Sequence, residues 1–274
     1  MDILSYNFFQ NALIIGILAS VACGIIGPFV VAKRISFLGG SIAHSSFGGI
    51  GLAYFLGFNP LIGAAVFSIL SALGIGIVSK KFKKNEDAVI GAMWSLGMAI
   101  GLVFIYLTPG YSADLFSYLF GNILMTGSAD IILAVVLNII IITSVLAFYR
   151  WFAAIVFDEE FAKVTNIAVF PIYLFLLCLV ALTIVILIRI VGVILVIALL
   201  TLPAATAQTF NKSFRKIILW SILFGGLFTT AGIFLSYYLN LPSGPMIIFV
   251  ACFVYAGSLI GGKSKFFKLR NSSS

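Results

Sequence analysis

The run from 170 to 188, FPIYLFLLCLVALTIVILI, carries no charged side chain and almost no polar atom. As a helix rising ~1.5 Å per residue it reaches about 28 Å, close to the ~30 Å hydrocarbon core of a bilayer. A segment that apolar, placed in lipid, must satisfy every backbone amide within the chain, which leaves only helices or a closed barrel. Barrel strands would be shorter and would alternate apolar with polar residues, and these runs do neither. Similar runs recur along the chain: 62% of its 274 residues are hydrophobic and only 9% charged, where a soluble domain has roughly a quarter charged. The expected class is therefore all-α, a polytopic transmembrane helical bundle of about nine spans, with eight to ten compatible.

The spans fall at about 11–32, 37–57, 60–79, 88–107, 129–149, 170–188, 191–209, 216–239 and 244–261. The sixth and seventh are joined tightly near Arg189 to Gly192, and Gly27-Pro28 is expected to bend the first. Between 115 and 124 lies an apolar core too short to cross, read as a short or re-entrant element on the outer side. No loop is long enough for a soluble domain. Residues 1–274 thus read as a single transmembrane domain with a cytoplasmic segment at 150–169.

A net charge of +8 would suit a nucleic-acid partner if the cations formed one patch. Instead they sit in short clusters at the ends of apolar runs: Lys33-Arg34, Lys80 to Lys84, Arg150, Lys163, Lys212 to Lys216 and Lys263 to Arg270. Such clusters mark cytoplasmic loops. With nine crossings they all face the cytoplasm when the N-terminus is outside and the C-terminus inside, leaving Arg189 as the one basic residue outside. The expected location is the cell membrane, with the bilayer and not nucleic acid as the surrounding partner. The first ten residues lack the basic start of a secretory signal, and Cys23, Cys178 and Cys252 read as small hydrophobes without ligand spacing.

All eight acidic residues fall in loops or at helix ends. Gradient-driven carriers usually keep a carboxylate inside the membrane as a relay, so a secondary transporter of a small solute is the weaker alternative. No phosphate-cradling G-x-x-x-x-G-K-[ST] loop is present either, so the chain does not hydrolyse ATP by that route.

Two stretches carry candidate chemistry. His44 is the only histidine and stands in RISFLGGSIAHSSFGGIGLAY, with Gly40 and Gly48 one helical turn away on the same face. A histidine so placed is either bonded across helices as packing glue or part of a path through the membrane. After the fifth span, Asp158, Glu159 and Glu160 suit the first turn of a short helix. Phe157, Phe161 and Val164 form an apolar stripe at four- and three-residue spacing, suited to lying on the bilayer or to docking in a partner's groove.

Five blocks in order, RISFLGGSIAHSSFGGIGLAY (34–54), DLFSYLFGNIL (114–124), FDEEFAKVTNI (157–167), VGVILVIALLTLPAATAQTF (191–210) and LPSGP (241–245), resemble the membrane permease subunit of ABC importers for zinc, manganese and iron(II), distantly similar to the vitamin B12 permease. The resemblance spans nearly the whole chain. It implies a type II importer permease that pairs with a second copy or a paralogue around a central passage and works by alternating access. It further implies a cytosolic ABC ATPase subunit, an extracytoplasmic metal-binding solute-binding protein, no enzymatic activity of its own and no tightly bound cofactor, the zinc or manganese ion being cargo. A permease for a metal chelate is the related alternative. By the same resemblance the translocation pathway involves His44, Ser41, Gly40, Gly48, Thr201 and Pro203, with His44 touching the metal transiently. Phe157, Asp158, Glu159, Phe161, Val164 and Asn166 are expected to couple to the ATPase. Asp114 is expected at the outer mouth, guiding cations or capping the 115–124 element.

The chain departs from the pattern twice. Asn166 replaces a usual glycine, and asparagine also tolerates the left-handed turn that ends a helix. Gly40 stands where related permeases commonly carry an aspartate. A lone imidazole is a weak ligand set beside the four that zinc normally takes.

Overall fold

The computed structural model describes residues 6–81, 86–109 and 115–271. The helices are α1 (Asn7–Lys33), α2 (Ser36–Leu56), α3 (Pro60–Lys81), α4 (Glu86–Leu107), α5 (Leu115–Phe120), α6 (Ser128–Phe157), α7 (Glu159–Val164), α8 (Val169–Phe210), α9 (Phe214–Leu239) and α10 (Ser243–Asn271), with a 3₁₀ turn at Ile123–Met125. There is no strand among the described residues.

Seven of these helices are long and apolar enough to cross a bilayer. The glycines, serines and histidine of α2 hold its hydropathy down, yet its 21 residues reach about 32 Å, enough to span. The 42 residues of α8 would extend about 63 Å if straight, twice the thickness of a hydrocarbon core. They do not run straight. Gly192 (φ 74°, ψ 167°) interrupts the helix, and a Cβ built on Gly39 would meet both Leu200 Cδ2 at 3.4 Å and Val180 Cγ1 at 3.8 Å. Twenty residues of continuous helix would hold those two side chains about 30 Å apart. The chain therefore folds back at Gly192 and α8 is a hairpin of two crossings, as the tight join near Arg189 to Gly192 leads one to expect. With α2 and both halves of α8 the bundle has about nine crossings.

The tip of this hairpin is a backbone junction. Gly192 and Gly121, both at positive φ (74° and 75°), lie against each other so closely that a Cβ on Gly121 would come within 2.5 Å of Gly192 N and Ile190 O. The Asn122 amide donates to Arg189 O at 3.3 Å, and a Cβ on Gly244 would press on Phe120 O and Val191. Here glycine is required by conformation and by space together. Arg189 completes the junction by bonding Asp130 through Nε (3.3 Å) and an Nη (3.0 Å). Asp130 Oδ2 also accepts from Gly127 N at the start of α6 (3.0 Å). The short 115–124 element is thus α5 and the 3₁₀ turn, packed against the α8 hairpin, α1 and the start of α10.

At the opposite end α1 stops at Arg34, whose left-handed backbone (φ 60°) returns its amide to Val30 and Val31 carbonyls. Only Arg34 and Ile35 separate α1 from α2. Edge-on aromatic contacts of Phe29 with Phe152 (5.9 Å) and Phe214 (4.9 Å) join α1, α6 and α9. Two boundaries differ from expectation. The fifth span was expected to end near 149, but α6 continues to Phe157 because no helix breaker occurs before Asp158 and Phe152, Ile155 and Val156 are buried along it. The backbone of α10 likewise stays helical through Asn271, beyond the expected end at 261.

Replacing Gly192 with alanine is expected to cost about 1–3 kcal/mol, since its backbone angles are open only to glycine. Thermal unfolding of the purified protein checks this against Gly226→Ala, whose added methyl meets nothing within 4 Å. The control should melt like the wild type and Gly192→Ala clearly lower.

Candidate translocation site and coupling segment

A run such as GGSIAHSSFGGIG would make a poor helix in water, where each glycine costs about 1 kcal/mol relative to alanine. Inside a membrane bundle the backbone has no alternative partner, and small residues let neighbouring backbones approach. Gly49 of α2 and Gly63 of α3 each occupy space where a Cβ on the other would strike backbone. On the other side Gly48 faces Gly97 O, Gly51 faces Gly101, and Gly97 and Gly101 abut the backbones of Ser45 and Phe47. The fit is reinforced by hydroxyls: Ser41 Oγ donates to Ile90 O at 3.0 Å and Ser45 Oγ to Met93 O at 3.1 Å. Helix α2 is wedged between α3 and α4 along most of its length.

That wedge sets His44. Its imidazole lies flat on the Trp94 indole of α4, ring centroids 4.0 Å apart and planes 14° from parallel. It is 9% exposed, and its Nδ1 is buried with no hydrogen-bond partner. Stacking covers the ring face and leaves the in-plane lone pair of an unprotonated nitrogen free. A buried polar atom without a partner is uncommon and calls for an explanation. A histidine serving only as packing glue would be expected to bond across helices, and this one does not do so through Nδ1. Trp94 is the part of the site that sequence reasoning missed, because nothing in its neighbourhood signals which helix it faces.

Gly40 is one turn from His44, and a Cβ there would meet the Ile197 side chain of α8. The space a side chain at position 40 would enter is thus filled by an isoleucine. Among the described residues no three of His, Cys, Asp and Glu converge. Gly48 is a contact residue of the α2–α4 seam, and Ser41 is committed to the α4 backbone.

Tyr54 near the end of α2 meets Tyr118 of α5 (6.4 Å), so α2 ends where the second half of α8 begins and the two run antiparallel. Gly40 lies by Ile197, so His44 is one turn from this crossing toward the Arg189 end and Thr201 one turn toward the Lys33 end, about 12 Å apart along the axis. Thr201 Oγ1 bonds back to Ile197 O (2.7 Å). Pro203 lies buried inside the helix and removes one rung of its hydrogen bonding. The structure therefore places these residues at successive depths and not in one cluster. Asp114 lies outside the described residues.

The 157–167 segment is built from its caps. Asp158 Oδ1 accepts from Phe161 N at 2.8 Å, capping α7. Asn166 takes a left-handed backbone (φ 58°); its amide returns to Lys163 O (3.2 Å) and that of Ile167 to Ala162 O (3.0 Å), the hydrogen-bond pattern of a Schellman close. Asparagine does here what glycine usually does. The apolar stripe is exposed: Phe157 63%, Phe161 59% and Val164 82%. Phe157, however, is the last residue of α6, set edge-on to Phe214 at 5.1 Å, because Asp158 as cap divides the two helices.

Glu159 links this helix to the bundle. Lys33 Nζ donates to its Oε2 (3.0 Å) and to Ile155 O (2.7 Å), while Lys163 Nζ reaches Oε1 at 3.1 Å. The bond from Lys33, and after it that from Lys163, holds the Glu159 carboxyl below the usual glutamate range. Sequence reasoning used Lys33 only for orientation, since no spacing rule joins positions 126 residues apart.

A bundle of about nine crossings, with a short capped helix presented beyond it, defines a polytopic membrane protein. The chain matches the ABC 3 transport family over residues 5–262, and it belongs to that family. Members are transport permeases, with ATP hydrolysis on a separate subunit. The chain is 44% identical to an uncharacterised membrane protein of Synechocystis sp., covering 93% of this chain and 91% of the relative. It is 35% identical to the manganese transport system membrane protein MntC of Listeria monocytogenes, covering 92% and 90%. Its fold matches a chain of PsaBC from Streptococcus pneumoniae in complex with Fab (TM-score 0.87, 31% identity, 97% and 96% covered). It also matches an inward-facing ABC transporter of metal-chelate type (TM-score 0.71, 14% identity, 92% and 85% covered), a likeness of fold alone.

A carboxyl held low in the folded state contributes stability above its unfolded range and loses it as pH falls through its folded value. The stability difference between wild type and Glu159→Gln should therefore be full at neutral pH and vanish below the ordinary glutamate range. Thermal unfolding across an acid pH series checks this.

Proposed function

We propose that the chain is the membrane-spanning permease of an ATP-driven importer for divalent metal cations, with manganese as its cargo in preference to zinc. The observation that carries the cargo class is the likeness, over about nine tenths of both chains, to a relative named as a manganese transport protein. A second copy of the chain or a paralogue completes the passage, and a solute-binding protein delivers the cation from outside. The cationic clusters orient the Lys33 end toward the cytoplasm. Arg189, alone at the other end, is already paired with Asp130 (3.0 Å) and weighs little against this.

On this reading α7 is the docking helix for the ATPase, with Phe161 and Val164 entering a groove on its surface. The Lys33 bonds to Glu159 and Ile155 O couple α7 to α1 and α6, so ATP-driven movement of the helix reaches the bundle through them. On the same reading Asp114 guides cations at the outer mouth, and Thr201 and Pro203 line the inner part of the passage. His44 offers one neutral nitrogen to a passing cation. One ligand without a carboxylate favours brief contact over capture.

With the permease and its ATPase reconstituted in proteoliposomes, ATP-dependent uptake of manganese should exceed that of zinc. His44→Ala should lower the rate on the order of tenfold, by analogy with the loss of a supporting residue at a metal site. Uptake driven by an ion gradient without the ATPase, or unchanged by His44→Ala, would refute the corresponding assignment. Phe161→Asp should insert normally and bind no ATPase, abolishing transport-coupled hydrolysis; retained coupling would remove α7 from the docking role.

A further inference from the structure

Between α1, α6 and α9, on the outside of the bundle, runs a groove of about 520 Å³. Its floor is rigid: a Cβ on Gly24 of α1 would collide with the Ile222 backbone of α9, and Ile25 and Ile222 line the cleft beside this contact. Ile142 and Leu146 of α6 form one wall, and Leu146 is 74% exposed, so the groove opens sideways where lipid lies. From 142 to 150 it extends about 12 Å along α6. At its Lys33 end stand Arg150 and Arg215, both lining the groove, with the Arg215 guanidinium set over the Tyr149 ring at 5.6 Å.

Neither arginine joins an ion pair among the described residues, and no carboxylate lines the groove. Two like charges flanking one apolar slot repel each other unless an anion lies between them. Guanidinium forks match phosphate oxygens in pairs, and basic pockets between transmembrane helices suit anionic headgroups. A second cationic cavity, of about 660 Å³ and lined by Lys33, Lys80 and Lys163, already contains Glu159, which bonds two of those lysines.

We infer that this groove binds an anionic glycerophospholipid, its phosphate held between Arg150 and Arg215 and one acyl chain lying on Ile142, Leu146 and Ile222. The lipid joins α6 to α9 at the end of the bundle that carries α7, and so stiffens α6, the helix from which the chain passes into that segment. Both arginines are exposed, so their replacement leaves the packed interior untouched.

The test is native mass spectrometry of the purified full-length chain in detergent, offered equal amounts of phosphatidylglycerol and phosphatidylcholine with the same acyl chains. The wild type should retain phosphatidylglycerol on the order of tenfold more, as two basic contacts near a headgroup imply. That ratio should fall to about one in Arg150→Gln/Arg215→Gln and persist in Lys212→Gln/Lys216→Gln, which removes equal charge outside the groove. Glycerol phosphate at the same concentration should fail to displace the lipid. Equal retention of both lipids, a preference that survives loss of the two arginines or disappears with the two lysines, or displacement by glycerol phosphate would each overturn the assignment.

Discussion

The close backbone approach of α2 to α3 and α4 is the contact on which the rest of the site depends. Glycines at 48, 49 and 51 on α2 meet glycines at 63, 97 and 101 on its neighbours, and no larger residue fits there without moving a helix. In lipid there is little hydrophobic drive to press helices together, so dispersion at short range and a few hydroxyl-to-carbonyl bonds must hold the seam. The seam fixes the height at which His44 meets Trp94 and the side from which Ile197 reaches Gly40. A looser α2 would leave the same residues present without placing them.

The two ends of the bundle are secured by different chemistry. At the Arg189 end, backbone meets backbone at Gly121 and Gly192, and the Arg189–Asp130 pair, with side chains only 25% and 10% exposed, closes over the junction. Such a pair is partly desolvated, so breaking it costs more than breaking an exposed one. At the Lys33 end the tie between α7 and the bundle is ionic and more open to solvent, with Glu159 44% exposed, and such links are individually weak. One end is therefore suited to stay fixed, while the other can yield when something pulls on α7.

Much of the fold was legible because lipid leaves a chain so few options. Runs of about twenty apolar residues fixed the crossings, and the hairpin in α8 was signalled by Arg189 and Gly192 interrupting one long run. The overrun of α6 to Phe157 escaped because Arg150 resembles a boundary, although nothing there ends a helix. Within the site, His44, Gly40 and the capped segment around Asp158 and Asn166 stood out through residue type and spacing. Their partners did not. Trp94, Ile197 and Lys33 are ordinary members of apolar runs or charge clusters, and only the packing of distant helices reveals what they face.

Ile197 has a consequence for how such a passage can change. Its side chain occupies the volume that any side chain at position 40 would enter, so the two positions behave as one steric unit. A carboxylate introduced at 40 alone overlaps the isoleucine, and a small residue at 197 alone leaves a void beside Gly40. A carboxylate at position 40 is therefore accommodated only through correlated replacement on α2 and α8, two helices that are remote in the chain and adjacent only in the fold.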